Sequence, residues 1–484
     1  GVWLLMESCL AWGQVRPIWI ARYDNDLPSK VHDPLGMALD KQGDLIVAGS
    51  SRNAQGDSDY MVLKYSAAGA LLWSARYSSA AHPDDMLRGF AVDAAGNICL
   101  TGTSETVKIG ADGKQLWTAP YGGRSVAVDA LGQVYVTGFL EDDFATAKLS
   151  ALGSLVWTRT YDYAGFKWPG DHSQVITVDR AGGVLVAGVA NWDENPRGGG
   201  FVPLLIKYSS EGTLAWTIHL YDKGSFGRLW EIKSLVLDQQ ENIFVTMNYE
   251  SGPTYQTTKI RAVGTIEWSN WVGGAGSEGV TAGVLNSAGA YYLTGRRIRS
   301  RPNVVFQTYK IENSGNLAWF AEYFGPMPGY HKANAIALDR VGSVYVTGIS
   351  PAPNTGNDWA TIKYDPTGKE LWVQRYNGGD EAKAIAVDDT GNVFVTGYAT
   401  TPQGGREIVT IKYAQASGIS LKHSGHSFVQ FIGTPGVQYR IQATTNFTSW
   451  LDRGAVTADG LGIFQLEDSD APNIPFRFYR SVTP

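Results

Sequence analysis

Self-similarity at a fixed spacing constrains this chain more than any other feature, because a short unit that recurs along a polypeptide must bury its apolar face against copies of itself. The unit is clearest at residues 335–376: Ala335-Ile336-Ala337-Leu338-Asp339, Gly342, Val344-Tyr345-Val346-Thr347-Gly348, a loop, Ala360-Thr361-Ile362-Lys363-Tyr364, Gly368, and Leu371-Trp372-Val373-Gln374-Arg375-Tyr376. Three markers recur in this order. A Lys followed by an apolar or aromatic residue stands at Lys64, Lys108, Lys148, Lys207, Lys259, Lys310, Lys363 and Lys412. A Trp on the next strand stands at Trp73, Trp117, Trp157, Trp216, Trp268, Trp319 and Trp372, with Trp19 ahead of the first full unit. An aliphatic strand ending in Asp opens the units at Asp40, Asp93, Asp129, Asp179, Asp238, Asp339 and Asp388; only the sixth departs, as Gly283-Val284-Leu285-Asn286. The mean period of about 50 residues lies in the range of propeller repeats.

Each unit reads as four short strands in meander order, A to D. Strand A is small and aliphatic, as crowding near an axis requires. Turns such as Asp389-Thr390-Gly391-Asn392 and Asp365-Pro366-Thr367-Gly368 join A to B and C to D, with Gly supplying a positive φ. Period two along strand D puts Leu71, Trp73, Ala75 and Tyr77 on one face, suited to packing on a neighbouring unit. The lysines read as solvating strand edges and the tryptophans as packing between units. Ile18-Trp19-Ile20-Ala21-Arg22-Tyr23 is a D strand with no A, B or C before it, whereas the last unit, residues 384–413, has no Trp strand after it. The two incomplete ends predict an all-β, eight-bladed β-propeller closed by the N-terminal strand, which protects both sheet edges. An open solenoid would leave both halves unexplained.

The unit resembles the repeat of secreted bacterial seven-bladed β-propeller repeat proteins, in which Ala-Val-Asp, Gly-Asn-Val-Tyr-Val-Thr-Gly, Lys-Tyr and Trp follow in that order. The likeness spans about residues 18–413 and is nearest at 335–413. It implies architecture and an exported protein, and little about activity. This chain departs from it in counting eight units and in a shortened second unit, Thr103 to Gly110.

The markers stop near Ser417, and a smaller β domain follows at 417–484 after the propeller at 17–416. Its strands read as 427–431, 437–443, 462–466 and 476–480. Tyr439-Arg440-Ile441-Gln442-Ala443-Thr444, residues 446–450 and Arg477-Phe478-Tyr479-Arg480 resemble a short β-sandwich module at the C-termini of exported bacterial proteins, which implies attachment or sorting. At the other end, residues 1–16 read as the tail of a secretory signal peptide or a loose arm. Together these features point to an extracellular or cell-surface location.

A net charge of −6 argues against a nucleic-acid partner, which needs a surplus of Lys and Arg on one face. No run of about 20 apolar residues suggests a transmembrane helix. Of the two cysteines, Cys99 sits in an apolar strand and reads as a small buried thiol. Neither CxxC nor HExxH spacing occurs.

Meander topology places the short A–B and C–D turns at one end of the ring and the long, varied B–C and D–A loops at the other, where binding residues concentrate on rigid scaffolds. The candidate residues there are His32, His82, Asp84, Trp168, Asp171, His172, Arg228, Trp230, Glu231, Tyr330, His331 and Asp380. Imidazole and carboxylate suit metal binding or proton transfer, and Trp168, Trp192, Trp230 and Tyr330 suit stacking on sugars. Their positions look inequivalent from unit to unit. No catalytic constellation or cofactor motif emerges; calcium is the one candidate ion, at Asp57-Ser58-Asp59 and Glu141-Asp142-Asp143. His423 and His426 lie on a strand or loop, a poor setting for zinc. The run Arg296-Arg297-Ile298-Arg299-Ser300-Arg301 is the one local basic patch.

Three functions are compatible with these features. The first is a non-enzymatic scaffold whose loop end binds a protein, a polysaccharide or another copy of the chain. The second is a carbohydrate-active lyase or hydrolase using Asp171 and Glu231. The third, a quinone-dependent dehydrogenase, rests on the likeness of residues 365–372 to tryptophan-docking repeats, and most units lack the Thr-Gly that it requires.

Overall fold

The computed structural model of the chain describes residues 15–24, 31–52, 56–78, 85–140, 143–162, 172–192, 200–220, 230–249, 255–272, 277–300, 303–402, 404–414, 419–423, 427–432, 437–446, 448–458, 463–467 and 478–482. Eight four-stranded antiparallel sheets carry the repeats, and no helix occurs among the described residues. Strand A of each sheet packs against strand A of the next, and that of the eighth (Glu381–Val387) against that of the first (His32–Leu39). This arrangement is consistent with an eight-bladed β-propeller. The eighth sheet takes its fourth strand, Arg16–Tyr23, from the N-terminus, with Trp19 opposite Lys412 and Tyr23 opposite Ile408.

The A–B turn shows why Asp ends strand A. One carboxylate oxygen of Asp40 accepts the backbone N–H groups of Gln42 and Asp44, both at 2.9 Å, which fixes the tight turn. Asp93, Asp129, Asp179, Asp238, Asp339 and Asp388 do the same in their sheets. Asn286, the apparent exception, keeps the turn with its amide oxygen on Ala288 and Ala290.

The repeat lysines correct the expectation of solvated strand edges. Lys64, Lys108, Lys148, Lys259, Lys363 and Lys412 are buried. In several sheets the second carboxylate oxygen of the turn Asp receives the Lys, as Lys64 on Asp40 at 2.8 Å, Lys108 on Asp93 at 2.9 Å and Lys207 on Asp179 at 2.8 Å; Lys148 and Lys412 donate instead to the Ser210 and Ala67 carbonyls, and Lys259 pairs with Glu267. A buried ammonium needs such a partner. Sequence spacing did not show this, because strands A and C lie two ladders apart.

Opposite each Lys across the C–D ladder stands the repeat Trp. Its indole N–H donates to a carbonyl in the C–D turn of the next sheet: Trp73 to Ala111 at 3.1 Å, Trp117 to Ala151 at 3.0 Å, Trp319 to Pro366 at 3.0 Å. The ring lies on that turn's glycine, as Trp19 lies on Gly69. Trp73, Ala75 and Tyr77 join Ile98, Leu100 and Val107 of the next sheet in one apolar cluster, whereas Leu71, which shares their face, remains exposed.

Strand B carries a glycine for a different reason. In seven sheets strand A bulges, once in six of them, as between Ala333 and Ala335, and twice in the sixth sheet, which drives a carbonyl toward strand B. A Cβ on Gly348 would lie 2.0 Å from the Lys332 oxygen, and one on Gly397 would lie 2.1 Å from that of Glu381. Next to this glycine, paired buried threonines tie B to C, as Thr347 to Thr361 at 3.0 Å. Cys99 is buried, as its strand pattern predicts.

The C-terminal unit contains two three-stranded sheets, one of Ile419–His423, Ser427–Ile432 and Ile463–Glu467, the other of Gln438–Thr444, Leu451–Thr457 and Phe478–Val482. The strands at 419 and 451 were not recognised in the sequence. Phe431 and Phe464 from the first sheet share an apolar cluster with Tyr439 and Ile441 from the second. The Tyr439 and Phe464 rings stack at 4.4 Å.

Candidate functional site: the loop end of the ring

The seventh sheet shows how the loop end is built. Arg375, near the end of strand D, donates to the Ser350 hydroxyl and carbonyl, both at 2.7 Å, and lies 3.1 Å from the Asp358 carboxylate. It also reaches back to the Tyr323 hydroxyl of the sixth sheet at 2.8 Å. Ser350 is 2.9 Å from Nδ1 of His331, and Nε2 of His331 is 2.9 Å from the Met327 carbonyl. A carbonyl only accepts, so Nε2 carries the proton and Nδ1 takes that of Ser350. Burial, with Arg375 nearby, holds the imidazole below its ordinary pKa and neutral, although the Met327 bond opposes this.

The same set recurs in the first sheet. His32 is buried against the edge of Tyr23 from the eighth sheet, as His331 is against Tyr323. Arg76 pairs with Asp59 at 2.6 Å and reaches the Ser51 carbonyl. The sixth sheet reverses the charges: Glu322 on strand D receives Arg297 and Arg299 from strand B. Much of the basic run is therefore held within its own sheet. Asp59, a candidate calcium ligand, is likewise engaged by Arg76.

The register corrects the expectation that the candidate positions are unrelated. Measured from the strand-A bulge, His32, Trp230, His331 and Asp380 occupy one equivalent place in the first, fifth, seventh and eighth sheets. His172 and Glu231 take the next place in the fourth and fifth. The fold brings these residues into one layer, but variable loop lengths hid the alignment. Asp380 accepts from the Thr400 backbone N–H. Glu231 is exposed and pairs with Lys233. Tyr330 is exposed, with its hydroxyl bonded to Arg296 and the guanidinium 5.5 Å above its ring. His172 opens its strand, half-buried. His82, Asp84, Trp168, Asp171 and Arg228 lie outside the described residues, as do the side chains of Trp192 and Trp230. So do Glu141, Asp142 and His426.

Sequence reasoning places Glu381 among the polar residues of the loop end but not Lys332, Lys383 and Tyr398 around it. Glu381 is held below its ordinary pKa despite burial, because Lys383 at 2.9 Å, Asn334 and Lys332 stabilise the anion. Tyr398, 3.1 Å from Glu381, is pushed up to about 12 by burial and by that carboxylate. Two open clefts also occur at the opposite end. The larger, about 420 Å³, lies between Met37–Gln42 and Phe90–Gly96 of the first two inner strands.

No family model matches the chain, and no curated protein does. Solved structures that resemble it are β-propeller-like proteins. One is a virginiamycin B lyase from Staphylococcus aureus with quinupristin, 11% identical, covering 81% of this chain and 99% of that one with a TM-score of 0.39. Another is the Neurospora crassa Pan2 WD40 domain, 11% identical over 72% and 95% of the two chains with a TM-score of 0.42. The polysaccharide lyase Uly1 is 8% identical over 81% and 91%, also with a TM-score of 0.42. Likeness of this order carries no function from those proteins to this chain.

Proposed function

We propose that the chain is an exported, non-enzymatic binding scaffold of the secreted bacterial repeat type, with a protein or polysaccharide ligand engaged at the loop end. The observation that carries the reading is the loop of residues 324–331. It presents Phe324, Met327 and Tyr330, 57%, 37% and 42% exposed, while His331 pins it from beneath through Ser350 and the Met327 carbonyl. Apolar and aromatic side chains held rigidly in solvent lose little entropy on binding, and such residues dominate recognition surfaces. Engagement of His331, Asp358 and Glu322 in bonds within their own sheets, and of Arg375 with Tyr323 of the neighbouring sheet, supports a structural role for the polar residues beneath the loop.

In this reading the N-terminal strand closes the eight-bladed ring, and the C-terminal sheets form a small β-sandwich that attaches or sorts the protein at the cell surface. The shared cluster of Phe431, Phe464, Tyr439 and Ile441 supports that sandwich. The test is a glycan and cell-surface-protein array probed with the full chain and with a Phe324→Ser/Tyr330→Ser variant. Binding that the variant loses supports the scaffold. Turnover of any polymer, or binding indifferent to both substitutions, overturns it.

A further inference from the structure

The short A–B and C–D turns depend on their first residue and on their glycine, while the two residues between are free to vary, so those two report what the turn end of the ring faces. At the turns of the fourth to eighth sheets that end carries ion pairs: Arg180 with Glu241 at 3.3 Å, Arg261 with Glu267 at 3.3 Å, and Arg340 with Asp389. The first three sheets differ. In the second and third the free positions hold Ala94-Ala95, Ala130-Leu131 and Ala151-Leu152, and the adjoining C–D turn of the first sheet holds Ala67-Ala68. The remaining turn of this arc, Ala111-Asp112, contributes its one polar residue.

Leu131 and Leu152 stand 78% and 85% exposed. At the start of strand D, Leu72, Leu116 and Val156 carry the apolar surface over the rim, each half-exposed. With the alanines these side chains offer on the order of 800 Å² to water, which exceeds the usual largest patch of a monomer and matches one partner's share of a stable interface.

Two clefts open in the same arc. One of about 420 Å³ separates Met37 and Leu39 from Phe90 and Val92, and one of about 290 Å³ is walled by Ala95, Leu116, Ala130 and Ala151. Projecting leucines beside apolar clefts make a face complementary to itself, because across a two-fold axis the leucines of each copy enter the clefts of the other. Its charged border is self-complementary too: Asp112 and Lys114 are exposed, opposite in sign and 3.3 Å apart, so two copies meet there without an excess of either charge.

We propose that the turn end of the first three sheets is a docking surface for a second copy of this chain, so that two rings associate back to back with their loop ends facing outward. The surface lies at the end opposite the proposed ligand face and stands whether or not that face binds. A pair built in this way would present two such faces, which raises avidity for a ligand that repeats along a polymer or a cell surface.

The experiment is sedimentation velocity of the full chain at micromolar concentrations, beside Leu131→Glu/Leu152→Glu and a control at the same end of the fifth sheet, Val263→Glu, where the side chain is 74% exposed. The parent and the control should sediment as dimers. The double variant should be a monomer, its association weakened about a hundredfold or more because carboxylates are forced into the interface. Leu131→Ser/Leu152→Ser, which adds no charge, should fall between them and keeps the result readable if the glutamates disturb folding. A monomeric parent, a dimer that both double variants retain, or one that Val263→Glu abolishes equally overturns the proposal. So does a monomeric parent whose melting temperature falls in the double variants, since residues of the same chain would then cover the surface.

Discussion

Trp19 stands opposite Lys412 across the ladder between the N-terminal strand and strand C of the eighth sheet, and both side chains donate to the Ala67 carbonyl, at 3.2 and 3.0 Å. Ala67 belongs to the first sheet, so three segments far apart in sequence meet at one acceptor. The same trio recurs within the repeats, where Lys148 and Trp157 share the Ser210 carbonyl. The junction between the chain's beginning and end is therefore built like an internal one.

Trp19→Ala removes the indole from that junction and its contacts with Tyr65 and Phe394. A loss of about 3 kcal/mol is expected, as for other truncations of large aromatic groups. Urea unfolding measures it, and the urea dependence should also fall if the first and eighth sheets separate early. A midpoint equal to the parent's would show that the N-terminal strand lies outside the cooperative unit.

Gly348 and Gly356 separate two uses of glycine in one sheet. Gly348→Ala forces a methyl into the Lys332 carbonyl, and the strand-A bulge leaves that carbonyl no room to retreat, so a loss of more than about 3 kcal/mol or failure to fold is expected. At Gly356, φ is +79° and no atom lies within 4 Å of an added Cβ; Gly356→Ala should cost only about 1 kcal/mol. Thermal unfolding of the two variants side by side tests the difference.

The repeat was legible because it rests on residues with few substitutes: Asp where a side chain closes a turn, Gly where φ is positive or a carbonyl intrudes, Trp where one indole must fill a junction and donate. Eight units and the pairing of Trp19 with the last of them follow from counting those residues. The role of the lysines did not, because the partner of Lys64 is Asp40, two strands away, and a Lys in a strand pattern usually marks solvent. The layer formed by His32, Trp230, His331 and Asp380 was hidden for a related reason: its alignment is set by the strand-A bulge, not by loop length.

Asn286 tests the turn rule at its exception. Asn286→Ala removes the acceptor for Ala288 and Ala290 and should cost about 1 kcal/mol, while Asn286→Asp, which restores the side chain of the other seven units, should be near neutral. Chemical denaturation of both variants gives the comparison. Equal destabilisation by the two would mean that backbone geometry, and not the side-chain acceptor, holds the turn.

His331 makes the loop end sensitive to acid. Its folded-state pKa lies below the ordinary 6.5, so the unfolded chain takes up a proton first as pH falls, and the stability contributed by the neutral ring is present above 6.5 and lost below it. Protonation also sacrifices the bond from Ser350 to Nδ1. The melting temperature should therefore drop between pH 7.5 and 5.5 more in the parent than in His331→Asn, which has no proton to gain. Parallel profiles would assign the acid response elsewhere.

Lys363 works in the alkaline direction. Burial pushes its amine down to about 8, with Asp339 at 3.8 Å only partly offsetting the lost hydration, whereas an unfolded lysine titrates near 10.5. Between these values the unfolded chain holds a proton that the folded chain has released, so unfolding takes up a proton and stability rises with pH. Tyr364, Tyr65 and Tyr413, all raised above 10 by burial, act oppositely once unfolded tyrosines ionise, which confines the gain to roughly pH 8–10. The parent should gain about 1–2 kcal/mol from pH 7.5 to 9.5, and Lys363→Met, with no amine to titrate, should stay flat. Denaturant titrations at the two pH values decide it, and a parent that loses stability over this window would place the Lys363 amine in a wetter, better-paired setting than strand C provides.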